Sequence, residues 1–217
     1  MHTLRIAFVA EGSRDLQVIP VLIERIIAEA RPTPALQLIL DAQRWDTRVR
    51  FVEAFTTIVA QAQLQADLLV CHVDADAAND QQVRQAKITP ALARLEQDTV
   101  LRLPIVWAVP VQAVEAWLLA DPTSFGQALG VGTKRFPAFP RDPERINRHE
   151  AKTLFDQTIR ELLGQTQRQR RRIRPDLFAT IIARDTALAE LRRLPAFHNF
   201  EQQLLQKLTQ LRFQFTK

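Results

Sequence analysis

Cysteine is almost missing from this chain. Cys71 is the only one, so there is no internal disulfide framework and no cysteine zinc site. Glycine is scarce too, five in 217 residues, and neither a Walker loop nor a Gly-x-Gly-x-x-Gly turn is there to cradle a nucleotide. No Ser-His-Asp order or zinc-ligand spacing occurs, and no repeat or low-complexity tract. No apolar stretch approaches the roughly 20 residues that span a bilayer. Met1-His2-Thr3 lead straight into a strand without signal- or transit-peptide character, so a soluble, cytoplasmic chain with no membrane partner is expected. What is present is ordinary for a folded chain: 47% hydrophobic and 24% charged residues, enough for one α/β unit with a helical extension.

The net charge of +5 is unevenly placed. Residues 1–133 carry 11 Lys and Arg against 15 Asp and Glu, a net of −4; residues 134–217 carry 18 against 9, a net of +9. Acids in one part and cations in the other suit a polyanionic ligand held partly through a metal. A solvated basic face is the plainer alternative.

Apolar periodicity alternates between strand and helix. Leu4 to Ala10 is a near-continuous apolar run, as in a central strand covered on both faces. Asp15 can cap a helix with Leu16, Ile19, Leu22, Ile26 and Ile27 on one face, Pro20 being a tolerable interruption. Strands are expected at Leu36–Leu40, Asp67–Val73 and Pro104–Val109, with helices at Arg48–Leu64, Gln81–Leu95 and Val111–Leu119 between and after them. This order predicts βαβ units and a mostly parallel, four-stranded α/β sheet. A loop is expected over Asp121–Arg148, and helices over Glu150–Leu163, Pro175–Leu191 and Phe200–Leu211. Residues 1–121 are expected to form the α/β domain, with 122–217 a loop plus a basic helical portion packed on it.

Two acidic signals close strands. Glu11-Gly12 ends the first run, and Asp74-Ala75-Asp76 ends the third. Ligands of open parallel sheets bind outside the carboxyl ends of the strands. By strand alternation Asp74 and Asp76 point to one side and Ala75 to the other. Three carboxylates at one sheet edge repel one another unless a cation joins them, which points to Mg²⁺ or Mn²⁺ and to phosphate chemistry. Taken singly, an isolated Glu-Gly is a turn and an Asp-x-Asp a cap or a solvated loop.

Phe8-Val9-Ala10-Glu11-Gly12 followed by Val73-Asp74-Ala75-Asp76 resembles the TOPRIM pattern of topoisomerases, primases and OLD-type nucleases. The block Pro110-Val111-Gln112-Ala113-Val114-Glu115-Ala116-Trp117-Leu118-Leu119-Ala120-Asp121 resembles a signature of the bacterial domain-of-unknown-function family 4276, which is grouped with TOPRIM-like proteins. Glu150-Ala151-Lys152 and Leu194-Pro195-Ala196-Phe197-His198-Asn199-Phe200 are similar to its C-terminal blocks. The resemblance implies a TOPRIM-like sheet with Glu11, Asp74 and Asp76 as metal ligands and Glu11 as a general acid or base. The chain departs from the family's Glu-Gly-x-Thr-Glu at Arg14 and Asp15.

Glu115, just past the fourth strand, is expected to complete the metal shell or orient a water, or else to sit at a helix start favoured by the dipole. Nucleic-acid contacts are expected from Lys152 and from Arg168, Arg170, Arg171, Arg172 and Arg174, because arginine forks match phosphate geometry. Trp107 and Trp117 read as core residues and Trp45 as the exposed aromatic. Cys71 reads as a small buried apolar residue of the third strand, and His72, two residues before Asp74, as a satisfied core group or, as the lesser alternative, a metal ligand. The leading expectation is a Mg²⁺-dependent nuclease. The other reading is a non-catalytic nucleic-acid- or protein-binding partner of an ATPase in a bacterial defence or repair system.

Overall fold

A computed structural model describes residues 2–77, 79–98, 102–131 and 139–215. Strand β1 (His2–Ala10) lies at the centre of the sheet, parallel to β3 (Leu36–Arg44) on one side and to β4 (Leu68–His72) on the other. Strand β5 (Ile105–Ala108) pairs parallel with β4, giving the order β3-β1-β4-β5. The expected α/β architecture with a four-stranded parallel sheet is therefore the one observed.

Side-chain alternation divides the core between two faces. Leu4, Ile6, Phe8 and Ala10 of β1, with Leu68 and Val70 of β4, face one side; Ala7 and Val9, with Leu69 and Cys71, face the other. The first face is covered by α1 (Asp15–Ala30), α9 (Asp176–Asp185) and α11 (Pro195–Gln210), through Ile19, Ile23, Ile182, Phe197 and Leu204. The second face is covered by α2 (Phe51–Ala62) and α4 (Thr89–Asp98), through Phe55, Val59, Ala91 and Leu95. The C-terminal helices thus help to bury one whole face of the sheet.

Several boundaries differ from the sequence expectation. The segment expected as loop between Asp121 and Arg148 holds α6 (Pro122–Ala128) and a 3-10 turn at Pro143–Arg145, each opened by an aspartate cap and a proline at its first position. The portion of that loop at 132–138 lies outside the described residues. The helix expected over Gln81–Leu95 is α3 (Gln81–Val83), a π turn (Arg84–Ile88) and α4. The helix expected over Pro175–Leu191 breaks at Thr186 into α9 and α10 (Leu188–Leu191). There Asp121 reaches over from the start of α6 to accept the Ala187 N–H at 3.1 Å, and so holds the chain out of the helix. Two further helices are shorter or longer versions of those expected, α5 (Val114–Leu118) and α7 (Arg148–Leu163), while α8 (Gln167–Arg172) is a helix where the sequence reading has only a basic run. A two-residue antiparallel pairing of β2 (Pro32–Thr33) with β6 (Gln214–Phe215) has no counterpart in the sequence pattern, because two residues carry no periodicity. Among the described residues no helix is long and apolar enough to cross a membrane.

Candidate functional site

The chain runs from β1 outward to β3 and then crosses back to β4 on the other side of β1. The strand order therefore reverses between β1 and β4, which opens a crevice at their carboxyl ends. Glu11 follows β1 there, and Asp74 follows β4 by two residues. Asp74 is 6% exposed on the same face as His72, while Ala75 turns into the opposite core. Asp76 is exposed, in a left-handed conformation with φ of 52°. Both aspartates nonetheless meet one guanidinium. Arg148, the first residue of α7, donates to Asp76 and approaches Asp74 Oδ2 at 3.2 Å. Lys152, one turn on, has its Nζ 3.9 Å from the same Asp74 oxygen. The Lys87 Nζ lies 3.2 Å from Glu11 Oε1.

Beneath this layer sits His72, which is 0% exposed. Its Nδ1 is 3.6 Å from Asp15 Oδ2 and its Nε2 is 3.3 Å from Asp74 Oδ1, yet neither nitrogen is aligned for a hydrogen bond. Burial alone disfavours the imidazolium; the Asp15 and Asp74 carboxylates outweigh it and hold the His72 pKa above its ordinary value. Asp74 moves the other way: burial would raise its pKa, but His72, Arg148 and Lys152 lower it. Asp15 opens α1 and accepts the Gly12 N–H at 2.9 Å rather than capping the helix. A Cβ at position 12 would stand 2.5 Å from Asp15 Oδ2, so a larger residue there would displace that carboxylate.

A second cluster surrounds Arg14. Its Nη1 donates to Glu115 Oε1 at 2.5 Å, and its Nη2 to Asp156 at 3.0 Å and Asp176 at 2.5 Å. The guanidinium also lies 4.8 Å from the centre of the Phe155 ring. Glu115, 3% exposed, keeps Oε2 without a partner, and burial raises its pKa against the pull of Arg14. Arg14 therefore ties the start of α1 to α5, α7 and α9.

These groups line one cleft of about 370 Å³, in which Glu11, Asp15, Asp74, Glu115, Asp156 and Asp176 face Arg14, Arg148 and Lys152. Six carboxylates against three cations leave an acidic excess that attracts a further cation. Asp15, His72 and Asp74 offer ligand atoms all within 4.8 Å of one another, so this group can hold a metal ion. A larger hollow of about 610 Å³ between α1 and β3 is mostly apolar, with only Glu24 and Arg31 charged along it.

Of the residues singled out from the sequence, Glu11, Asp74, Glu115 and Lys152 line the cleft, and Asp76 joins it through Arg148. Arg168, Arg170, Arg171, Arg172 and Arg174 lie on α8 and just after it, outside the cleft lining. Arg174 precedes the cleft residue Asp176 by two positions, so their Cα atoms are within about 7.6 Å. Trp45 is corrected: it is 6% exposed, donates to the His72 carbonyl at 2.9 Å and packs on Phe51 and Phe55. Trp107 and Trp117 are buried as expected. Asp15, which reads from the sequence as a helix cap, and His72, for which a ligand role is the lesser of two readings, both belong to the acidic cluster. The usable signal is period two, which puts His72 and Asp74 on one face of the strand.

The sequence blocks near Glu115 and Phe197 also meet in space. Trp117 stacks on Phe200 at 5.9 Å and meets Phe197 edge-on at 5.2 Å. The indole donates to Glu144 Oε1 at 3.2 Å, and the Glu144 carboxylate also accepts the Ala196 N–H at the head of α11. Glu115 holds Arg14, and Asp121 caps α6. A family model described as Domain of unknown function (DUF4276) matches residues 10–205. No curated protein and no solved structure matches the chain.

Proposed function

The chain belongs to the DUF4276 family, and on that premise we propose that it is a TOPRIM-like, Mg²⁺- or Mn²⁺-dependent enzyme that cleaves phosphodiesters in nucleic acid. The observation that carries this reading is the meeting, over one switch point of the sheet, of carboxylates from two strand ends with the cations of α7. The donor set fits a divalent ion: the acidic residues outnumber the cations, and Asp74 Oδ1 is buried without a hydrogen-bond partner. Glu11, Asp74 and Asp76 are the proposed ligands. A divalent ion bound there supplies charge neutralisation at the phosphate and a more acidic water.

The chain's own groups then have separable tasks. Arg148 and Lys152 exchange their carboxylate partners for phosphate oxygens and hold the scissile group in the cleft. Glu11, partly exposed at the cleft mouth beside Lys87, accepts or delivers the proton of the displacement. Glu115, fixed by Arg14, keeps Oε2 free to orient a water from below. The arginines from Arg168 to Arg174, which lie outside the cleft lining with only Arg174 close in the chain to the cleft residue Asp176, would steer the polyanion without reading its sequence.

The test is cleavage of plasmid DNA, single-stranded DNA and RNA by the purified chain with Mg²⁺ or Mn²⁺. The parent is expected to cut at least one of them, and the Asp74→Ala, Asp76→Ala double variant none. Equal cutting by both overturns the reading. The ion pairs of Arg148 with Asp74 and Asp76 favour a second reading, in which the acids are neutralised internally and the chain is a non-catalytic binding partner of an ATPase. Nucleic-acid or ATPase binding without turnover on any substrate supports that alternative.

A further inference from the structure

Building on the reading of the cleft as a metal site, we infer that its metal is a first-row transition ion held partly through nitrogen, with His72 a ligand beside Asp15 and Asp74. The two oxygens of Asp74 are divided between different neighbours. Oδ2 faces Arg148 and Lys152, whereas Oδ1 faces His72 and has no hydrogen-bond partner. His72 is fully buried, and both of its nitrogens lack hydrogen-bond partners although each has a carboxylate oxygen within 3.6 Å. Buried polar groups in folded proteins are normally satisfied, so an imidazole and a facing carboxylate oxygen both left over mark a place for another group. Asp15 closes on the Gly12 N–H, which brings the third donor to the same spot. The ligand atoms of all three residues lie within 4.8 Å of one another, close enough for small side-chain shifts to bring them onto one ion.

The donor chemistry selects the ion. Mg²⁺ takes oxygen ligands and demands near-ideal octahedral geometry, whereas an imidazole in the set favours later first-row ions such as Co²⁺ and Zn²⁺, with Mn²⁺ intermediate between them and Mg²⁺. The cleft is therefore expected to retain one of these first-row ions in the presence of excess Mg²⁺. Arg148 and Lys152 limit the charge at Asp74, so they favour a single ion at this position.

The probe is Mn²⁺ on the intact chain labelled with ¹⁵N-histidine, read by electron spin-echo spectroscopy, with Co²⁺ affinity measured alongside by calorimetry. His149 is the other histidine near the cleft cations, and it is not buried, so the His149→Ala variant serves as the control. The expected result is a directly coordinated histidine ¹⁵N in the parent and in His149→Ala. His72→Asn is expected to lose it and to bind Co²⁺ about 10- to 100-fold more weakly. Absence of a histidine ¹⁵N coupling in the parent, its loss in His149→Ala, or its survival in His72→Asn each overturns the assignment. If His72→Asn does not fold, the labelled parent and the His149→Ala control decide alone. Cleavage without nitrogen coordination overturns the ligand assignment and leaves the phosphodiesterase reading standing. Nitrogen coordination without cleavage of any substrate does the reverse.

Discussion

Arg14 and Glu115, 101 positions apart in the chain, are joined at 2.5 Å across the floor of the cleft. Arg14 is a hub that joins three carboxylates of the helical layer, Glu115, Asp156 and Asp176. Removing it takes from the buried Glu115 its one ion-pair partner among the described residues and leaves only the more distant Lys152 to compensate the charge. Arg14→Ala is expected to cost about 3 kcal/mol of folding stability, the range for breaking one side of a buried ion pair. Arg14→Lys recovers part of this, since it keeps the charge without the fork. Urea denaturation of the two variants against the parent checks the order; an Arg14→Ala variant as stable as the parent contradicts it.

Gly12→Ala probes Asp15. A methyl group at position 12 meets the Asp15 carboxylate oxygen that faces His72, so that oxygen must leave its present position. The variant is expected to bind Mn²⁺ about tenfold more weakly, in line with the effect of disturbing groups that orient metal ligands. Calorimetry on a variant whose circular dichroism matches the parent is the measurement. Unchanged affinity shows that Asp15 has no part in holding the ion.

The buried Glu144 sets a pH dependence away from the cleft. Burial raises its pKa above the ordinary 4.5, against the opposing hydrogen bonds from Ala196 and Trp117. A group with a raised folded pKa contributes stability that is complete below its unfolded pKa and is lost as pH rises through the folded one. The stability advantage of the parent over Glu144→Gln is therefore expected to shrink as pH climbs from about 4.5. Paired denaturant titrations across that window give the slope; an advantage that grows with pH contradicts the sign.

Nucleic-acid binding by the arginine run has a salt signature. Each phosphate that a cation neutralises on duplex DNA adds about 0.9 to the steepness of log affinity against log salt. Arg168→Ala, Arg171→Ala and Arg172→Ala together are expected to reduce that steepness by about 2 to 3 and to weaken binding to all sequences alike. Fluorescence anisotropy at several salt concentrations measures it. A slope equal to that of the parent removes α8 from the interface.

The sheet is legible in the sequence because its strands are continuous apolar runs separated by helical periodicity, as Leu4 to Ala10 illustrates. Glu11 and Asp74 are legible as cleft residues for a related reason: strand ends in a parallel sheet have one destination. Asp15 reads as a helix cap because the close approach that turns it toward His72 depends on Gly12 and on tertiary packing. His72 reads as a core residue, which it is; what local sequence does not show is that carboxylates stand on both sides of it. Trp45 reads as exposed, yet the chain after β3 folds back over β4, where the His72 carbonyl accepts its N–H. The α6 helix is hidden by its one proline, Pro122, and its one glycine, Gly126, although Asp121-Pro122 is itself a helix-start signal.

The most direct test is anomalous diffraction from crystals soaked in Mn²⁺. A peak within bonding reach of Asp74 Oδ1, between the ends of β1 and β4, is the predicted result. No peak in the cleft at several millimolar Mn²⁺, or a peak only elsewhere on the molecule, contradicts the assignment of the switch-point cleft as a metal centre.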